Sequence, residues 1–280
     1  MIGFVIGRSG DLEIVQRDFS PTVYLDHWAL LSFAENETLG TRLTAALKSQ
    51  NGTLALSWLN VVEFTKVMAE GQARSVEQLL EMNLPRVFFL EVEPFSVIRR
   101  EDELLAGRPL VAPHADLDFL REFAHIKPMS LNSFTAHGLF KAVQDSPLGR
   151  SFEGLADSVV ARVKALRYEL DRSPSFQSAV RRSPSGSQIQ RGTRFLLREM
   201  LRTLLVDKRM KITRNHAIDL LHAVVPVAYC DLVLLDKHWE TQVDRVRQRF
   251  VAARMRVPMA KVFSARRNGL DRFLTELEER

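Results

Sequence analysis

Two short apolar runs that each end on an aspartate constrain this chain more than any other feature. TVYL is followed by Asp26, and LVLL, near the other end of the chain, by Asp236. Both have the β-branched, aromatic and aliphatic content of strands buried on two faces. Leu54–Ser57 and VFFLEV, the latter ended by Pro94, have the same character, and segments of helical periodicity stand between these runs. Alternation of apolar strands with helices is the signature of a mostly parallel sheet covered on both faces. Right-handed crossovers then put every strand's carboxyl end on one rim, where such folds bind ligands.

Taken in order, MIGFVI and LEIVQ around GRSGD predict a hairpin that covers a sheet edge. HWALLSFAE after Asp26 is helical; Gly40 is expected to break it before TRLTAALKS starts another helix. Asn60 is the expected cap of the helix that carries Glu63. QARSVEQLLEMN is helical, and from Arg108 to Lys211 only helical candidates occur: DLDFLREFAHI, NSFTAHGLFKAVQ, FEGLADSVVARVKALRYEL and a helix around Phe195–Leu205. Between the last two, residues 173–192 are rich in Ser, Pro, Gln and Arg and are expected to form a flexible segment. Asn215–Tyr229 reads as an amphipathic helix, TQVDRVRQRFVAA as the helix after Asp236, AKVFSA as an edge strand and LDRFLTELEE as a closing helix. The sheet thus has about five strands. Three stretches follow: residues 1–106, a basic helical insertion over 107–212, and residues 213–280.

Charge is unevenly distributed along the chain. The chain carries a net +5, yet Lys127–Arg214 holds 17 Lys and Arg against 7 Asp and Glu, a net of +10, which leaves −5 elsewhere. A polyanion held by one part and cut by the other would use that division, although Arg and Lys solvating a helical insert give the same excess. The lone cysteine, Cys230, excludes an intramolecular disulfide and a thiolate zinc cluster. Ala217–Leu235 is interrupted by Asp219, His222 and Asp231, which argues against a membrane span. With no secretory pattern at the amino end, the cytoplasm is the expected compartment.

Four acids fit one rim. Asp26 and Asp236 follow strands, while Glu63 and Asp219 lie in the early turns of helices. Like charges gathered there repel unless protons or cations neutralise them. Oxygen ligands favour Mg2+ or Mn2+ over zinc, and one or two such ions suit phosphodiester hydrolysis. Asp231 starts the strand that Asp236 ends; at about 3.3 Å per residue the two stand roughly 16 Å apart, so Asp231 is assigned to a strand boundary.

YLDHWALLSF, LSWLNVVEFTKV and IDLLHAVVPVAYCDLVLLDKHWE resemble the three sequence blocks of PIN-domain ribonucleases, over residues 22–106 and 213–275. The resemblance implies a three-layer α/β/α sandwich and metal-dependent cleavage of RNA, often as a toxin with a neutralising antitoxin protein. By that likeness Asp26, Glu63 and Asp219 correspond to the three principal acids and Asp236 to the fourth. The family commonly has Thr or Ser two positions before its fourth acid, where this chain has Leu234, so Ser57 or Asn60 is the candidate replacement.

Beside the acids, His222 shares a helix face with Asp219, and with Lys237 it is a candidate for orienting an acid or touching phosphate. His27 is read as a supporting or core contact, and Trp28, Trp58 and Trp239 as packing between sheet and helices. Arg181, Arg182, Arg191, Arg194 and Arg198 are the candidate RNA-phosphate contacts. The expected function is a metal-dependent endoribonuclease. A structure-specific DNA nuclease and a non-catalytic nucleic-acid-binding or partner-binding module are the alternatives. A homodimer through the insertion or the closing helix is compatible with either.

Overall fold

A computed structural model of the chain describes all residues except 1, 7–11, 68–69, 109–111, 119–135, 138–139, 141–147, 183, 185–191 and 208–209. Five strands, β3 (Thr22–Leu25), β4 (Thr53–Ser57), β5 (Val87–Leu90), β6 (Leu232–Leu234) and β7 (Lys261–Phe263), form one sheet in the order β5-β4-β3-β6-β7. Every pairing in it is parallel. Side-chain alternation divides its residues between two cores. Val23, Leu25, Leu54, Leu56, Val87, Phe89, Leu232 and Leu234 face one way, and Tyr24, Ala55, Phe88, Leu90 and Val233 the other.

Each face is covered by helices. On the first lie α1 (His27–Glu35), α2 (Glu37–Ser49), α3 (Trp58–Val67), α4 (Glu70–Asn83) and the closing helix, α11 (Gly269–Glu278). On the second lie α5 (Pro94–Leu105), α6 (Leu148–Arg172), α8 (Thr193–Val206), α9 (Arg214–Tyr229) and α10 (Lys237–Ala252). The architecture is a mixed α/β fold with helices on both sides of a five-stranded parallel sheet. Among the described residues, no helix is long and apolar enough to cross a membrane.

The expected amino-terminal hairpin is present as β1 (Ile2–Ile6) and β2 (Leu12–Gln16), paired antiparallel. It reaches the sheet at edge strand β5: the Gln16 side-chain amide donates to the Phe89 carbonyl at 2.9 Å and accepts from the Phe89 N–H at 2.8 Å. A side-chain amide thus occupies backbone positions that would otherwise be an open edge.

Four local expectations need correction. Gly40 does not break a helix. The chain turns at Asn36, whose side chain caps α2 through the Leu39 N–H, and Gly40 lies inside α2, where a Cβ would stand 2.7 Å from the Phe33 carbonyl oxygen. The glycine therefore permits close packing of α1 on α2. Asn60 is not the cap of α3 either. Ser57 takes that place: its hydroxyl accepts from the Asn60 N–H and the Asn60 side chain accepts from the Ser57 N–H, the reciprocal pattern of a capping box. Helix α9 is not amphipathic in its second half, because Leu220–Val227 is buried throughout, its residues shared between both cores. Lastly, the segment expected to be flexible contains helix α7 (Pro174–Arg181). Ser173 caps it, Pro174 opens it, and Phe176 and Val180, one turn apart, pack on the second core. The rest of that segment lies mainly outside the described residues, as do most of DLDFLREFAHI and NSFTAHGLFKAVQ.

Candidate functional site

Strand order decides which side chains can meet. From β3 the chain builds outward through β4 to β5, whereas β6 returns to the opposite side of β3 and continues to β7. The gap between helices that this reversal leaves beyond the carboxyl ends of β3 and β6 is where open parallel sheets bind ligands. Asp26 and Asp236 stand there. The Asp26 N–H extends the ladder by donating to the Leu234 carbonyl at 2.9 Å.

Both aspartates also begin helices. Asp26 accepts from the His27 N–H at 2.7 Å and Asp236 from the Trp239 N–H at 2.7 Å, contacts that fix each side chain at a positive helix end. The strand that ends at Ser57 leads into α3, which brings Glu63 to the same rim, and α9 brings Asp219 and His222 over it. The Glu63 carboxylate approaches His222 Nε2 to 3.4 Å. Neither Glu63 Oε2 nor His222 Nε2 makes a hydrogen bond, so this is a contact between charges in a place water does not reach.

His222 is 2% exposed and anchors a chain of polar groups through the core. Its Nδ1 makes a short hydrogen bond with the Tyr24 hydroxyl, which lies 3.3 Å from Ser57 Oγ. Ser57 Oγ donates to Asn60 Oδ1 at 2.9 Å, and Asn60 Nδ2 reaches the Leu25 carbonyl at 3.5 Å. With Nδ1 of His222 protonated, each hydroxyl in the chain donates onward, and the groups from Nδ1 to Asn60 are satisfied in one direction. Burial opposes the charged form of the ring, but the charge and contact of Glu63, with the charges of Asp26 and Asp219, outweigh it and lift the imidazole to about 9.

The acids are raised as well, which for them favours the neutral form. Burial, then the negative charges of Asp26 and Asp236, push Asp219 up to about 7, against the opposing pull of His222. Burial likewise raises Asp26, with Glu63 and Asp236 adding to the effect and His222 countering it. Four carboxylates and one imidazolium thus act on one another although they come from four separate stretches of chain. Among the described residues, however, no three His, Cys, Asp or Glu side chains stand in an arrangement that would hold a metal ion.

Tyr24 is a member of this cluster that sequence reasoning missed, having been read only as a strand residue. A tyrosine at an inward strand position carries a hydroxyl that needs a partner in the core, and that was the available signal. Ser57 and Asn60 are buried within the Tyr24 chain. Lys237 is exposed at the start of α10. His27 stacks on Phe64, ring centroids 5.0 Å apart, and so makes a core contact. Trp58 and Trp239 are buried in opposite cores, one on each face of the sheet.

Of the arginines singled out, Arg181, Arg182, Arg194 and Arg198 are exposed on α7, α8 and the turn after α7, and Arg191 lies outside the described residues. Arg194 pairs with Asp102 at 2.6 Å. Part of the basic excess has structural work. Arg167 donates to the carbonyls of Leu204, Asp207 and Met210 around the end of α8, and Arg202 and Arg249 converge on buried Glu199. In comparisons with protein-family models, curated proteins and solved structures, none matched this chain.

Proposed function

We propose that the chain is a metal-dependent endoribonuclease of the PIN type, in which residues 1–106 and 213–280 form the nuclease domain and 107–212 a basic helical insertion. The observation that carries this reading is the mutual electrostatic influence of Asp26, Glu63, Asp219 and Asp236 at the point where the sheet's strand order reverses. The donor set fits a hard cation. It is all oxygen, Glu63 Oε2 is buried without a hydrogen-bond partner, and burial, with the negative charges of Asp26 and Asp236, raises Asp219 to about 7. Bound Mg2+ or Mn2+ would supply Lewis acidity at the scissile phosphate and a more acidic attacking water.

The chain's own residues contribute positioning. Asp26 and Asp236 are oriented by their helix caps, each with one oxygen committed to a backbone N–H. His222 holds Glu63 by charge while Tyr24, Ser57 and Asn60 fix the imidazole from behind. The exposed arginines of α7 and α8 would take RNA phosphates without reading bases. A toxin role, with an antitoxin protein as partner, belongs to the same proposal.

The test is Asp26→Asn assayed for cleavage of single-stranded RNA and DNA with added Mn2+. A loss of about 100-fold or more on RNA is expected, and an unchanged rate would end the proposal. Alanine at Arg181, Arg182, Arg191, Arg194 and Arg198 should lower RNA affinity and flatten its dependence on salt. The lack of a three-ligand arrangement among the described residues favours one alternative, a nucleic-acid-binding module without catalysis. Titration calorimetry decides: if Mn2+ fails to bind and RNA affinity survives loss of the acids, the module reading stands.

A further inference from the structure

Helices α5, α6, α7 and α8 leave between them a cleft of about 580 Å3 that contains none of the four acids. That volume lies inside the roughly 300–1,000 Å3 range of small-ligand sites. Its wall is mostly aliphatic, Leu166, Leu197, Leu201 and Leu205 among its residues, and includes two phenylalanines, Phe176 and Phe95, the latter 56% exposed. Four arginines, Arg182, Arg194, Arg198 and Arg202, line it as well. Two of them are committed, Arg194 to Asp102 and Arg202 to Glu199. Arg182 and Arg198 have no acidic partner for their guanidinium groups among the described residues. An aliphatic hollow beside two uncompensated cations is complementary to a molecule with an apolar body and a single anionic end.

We infer that this cleft binds a small amphipathic anion, a long alkyl chain whose carboxylate or phosphate headgroup is taken by Arg182 and Arg198. Seven of the nine apolar residues that line it are aliphatic against two phenylalanines, Phe95 and Phe176, a balance that favours an alkyl chain over a nucleobase held by stacking. The inference does not rest on the nuclease reading, because binding is measured without RNA or metal.

Titration calorimetry of the full chain with oleate, dodecyl phosphate and uncharged dodecanol tests it. One or both anions should bind saturably, and dodecanol about tenfold or more weaker, since a charge-assisted contact contributes roughly that factor. The double variant Arg182→Ala/Arg198→Ala should weaken anion binding about tenfold or more, and being on the surface it should fold normally. Leu201→Trp, checked for an unchanged circular dichroism spectrum, should block the cleft and abolish binding. Preference for oleate would identify a carboxylate head and preference for dodecyl phosphate a phosphate head. The inference is overturned if neither anion binds below about 100 μM, or if the double variant binds as tightly as the parent chain. It is overturned too if that variant loses affinity only for single-stranded RNA.

Discussion

The two rims of the same sheet treat aspartate in opposite ways. At the amino-terminal rim, Asp231 accepts from Ser20 Oγ at 2.9 Å and from the Thr22 N–H at 2.8 Å, and Arg280 lies 3.1 Å away. Asp18, on the approach to β3, meets His114 at 3.2 Å, and that hydrogen bond holds its carboxyl below the usual range. Each acid there has its own partner, a guanidinium for Asp231 and an imidazole for Asp18. At the carboxyl-terminal rim, burial and neighbouring negative charge raise Asp26 and Asp219 while a single imidazolium is shared among the carboxylates. A rim whose acids are each partnered reads as structure, whereas the rim left short of positive charge is the one where the proposed cation would sit.

The largest effect should come from comparing the two ends of β6. Asp236→Asn is expected to lower RNA cleavage by about 100-fold and Asp231→Asn by less than about threefold, measured as kcat/KM with Mn2+. Equal losses would erase the distinction between the rims.

Stability against pH separates them next. Asp219, at about 7 in the folded chain, binds a proton that the unfolded chain releases at ordinary carboxylate pH. Its contribution is therefore lost as pH rises from about 4 to 7. His222, raised to about 9, acts in the same direction from its usual value upward. Urea denaturation in chelator should thus show Asp219→Asn to be more stable than the parent by about 1–2 kcal/mol at pH 8, and the two alike below about pH 4. A destabilised Asp219→Asn would mean that its carboxylate is already compensated.

Asp18 has the opposite sign and the smallest effect. Its depressed carboxyl contributes stability above the ordinary carboxylate pH, lost as pH falls through its lower folded value. Asp18→Asn should cost about 1 kcal/mol at pH 7, with the difference closing at the acid end of the titration.

Much of the fold was legible because burial leaves a periodic mark. Strands buried on two faces appear as continuous apolar runs: TVYL, LALS and VFFL lie in strands of the sheet, and LVLL does so up to Leu234. The hairpin, the long helix α6 and the closing helix followed from equally local patterns. Misreadings occurred where a neighbour in space overrode a local propensity. Gly40 is a breaker in isolation, but α1 packs too closely for any side chain there. Asn60 and Ser57 both suit a cap, and only the start of α3 at Trp58 decides between them. In residues 173–192 a composition suited to loops concealed the one-turn spacing of Phe176 and Val180, which gains meaning once a second core is present to receive it.

The sequence by itself determined that short buried strands alternate with helices and that acids follow two of those strands, because periodicity and strand ends are local properties of a chain. Tertiary structure alone decided that β3 lies between β4 and β6, that Tyr24 and His222 join across the core, and that Asp231 finds Arg280 while Asp219 is set among other acids with one shared imidazole. Charge acts over distance in space, and residues far apart in the chain have no such distance until the sheet has formed.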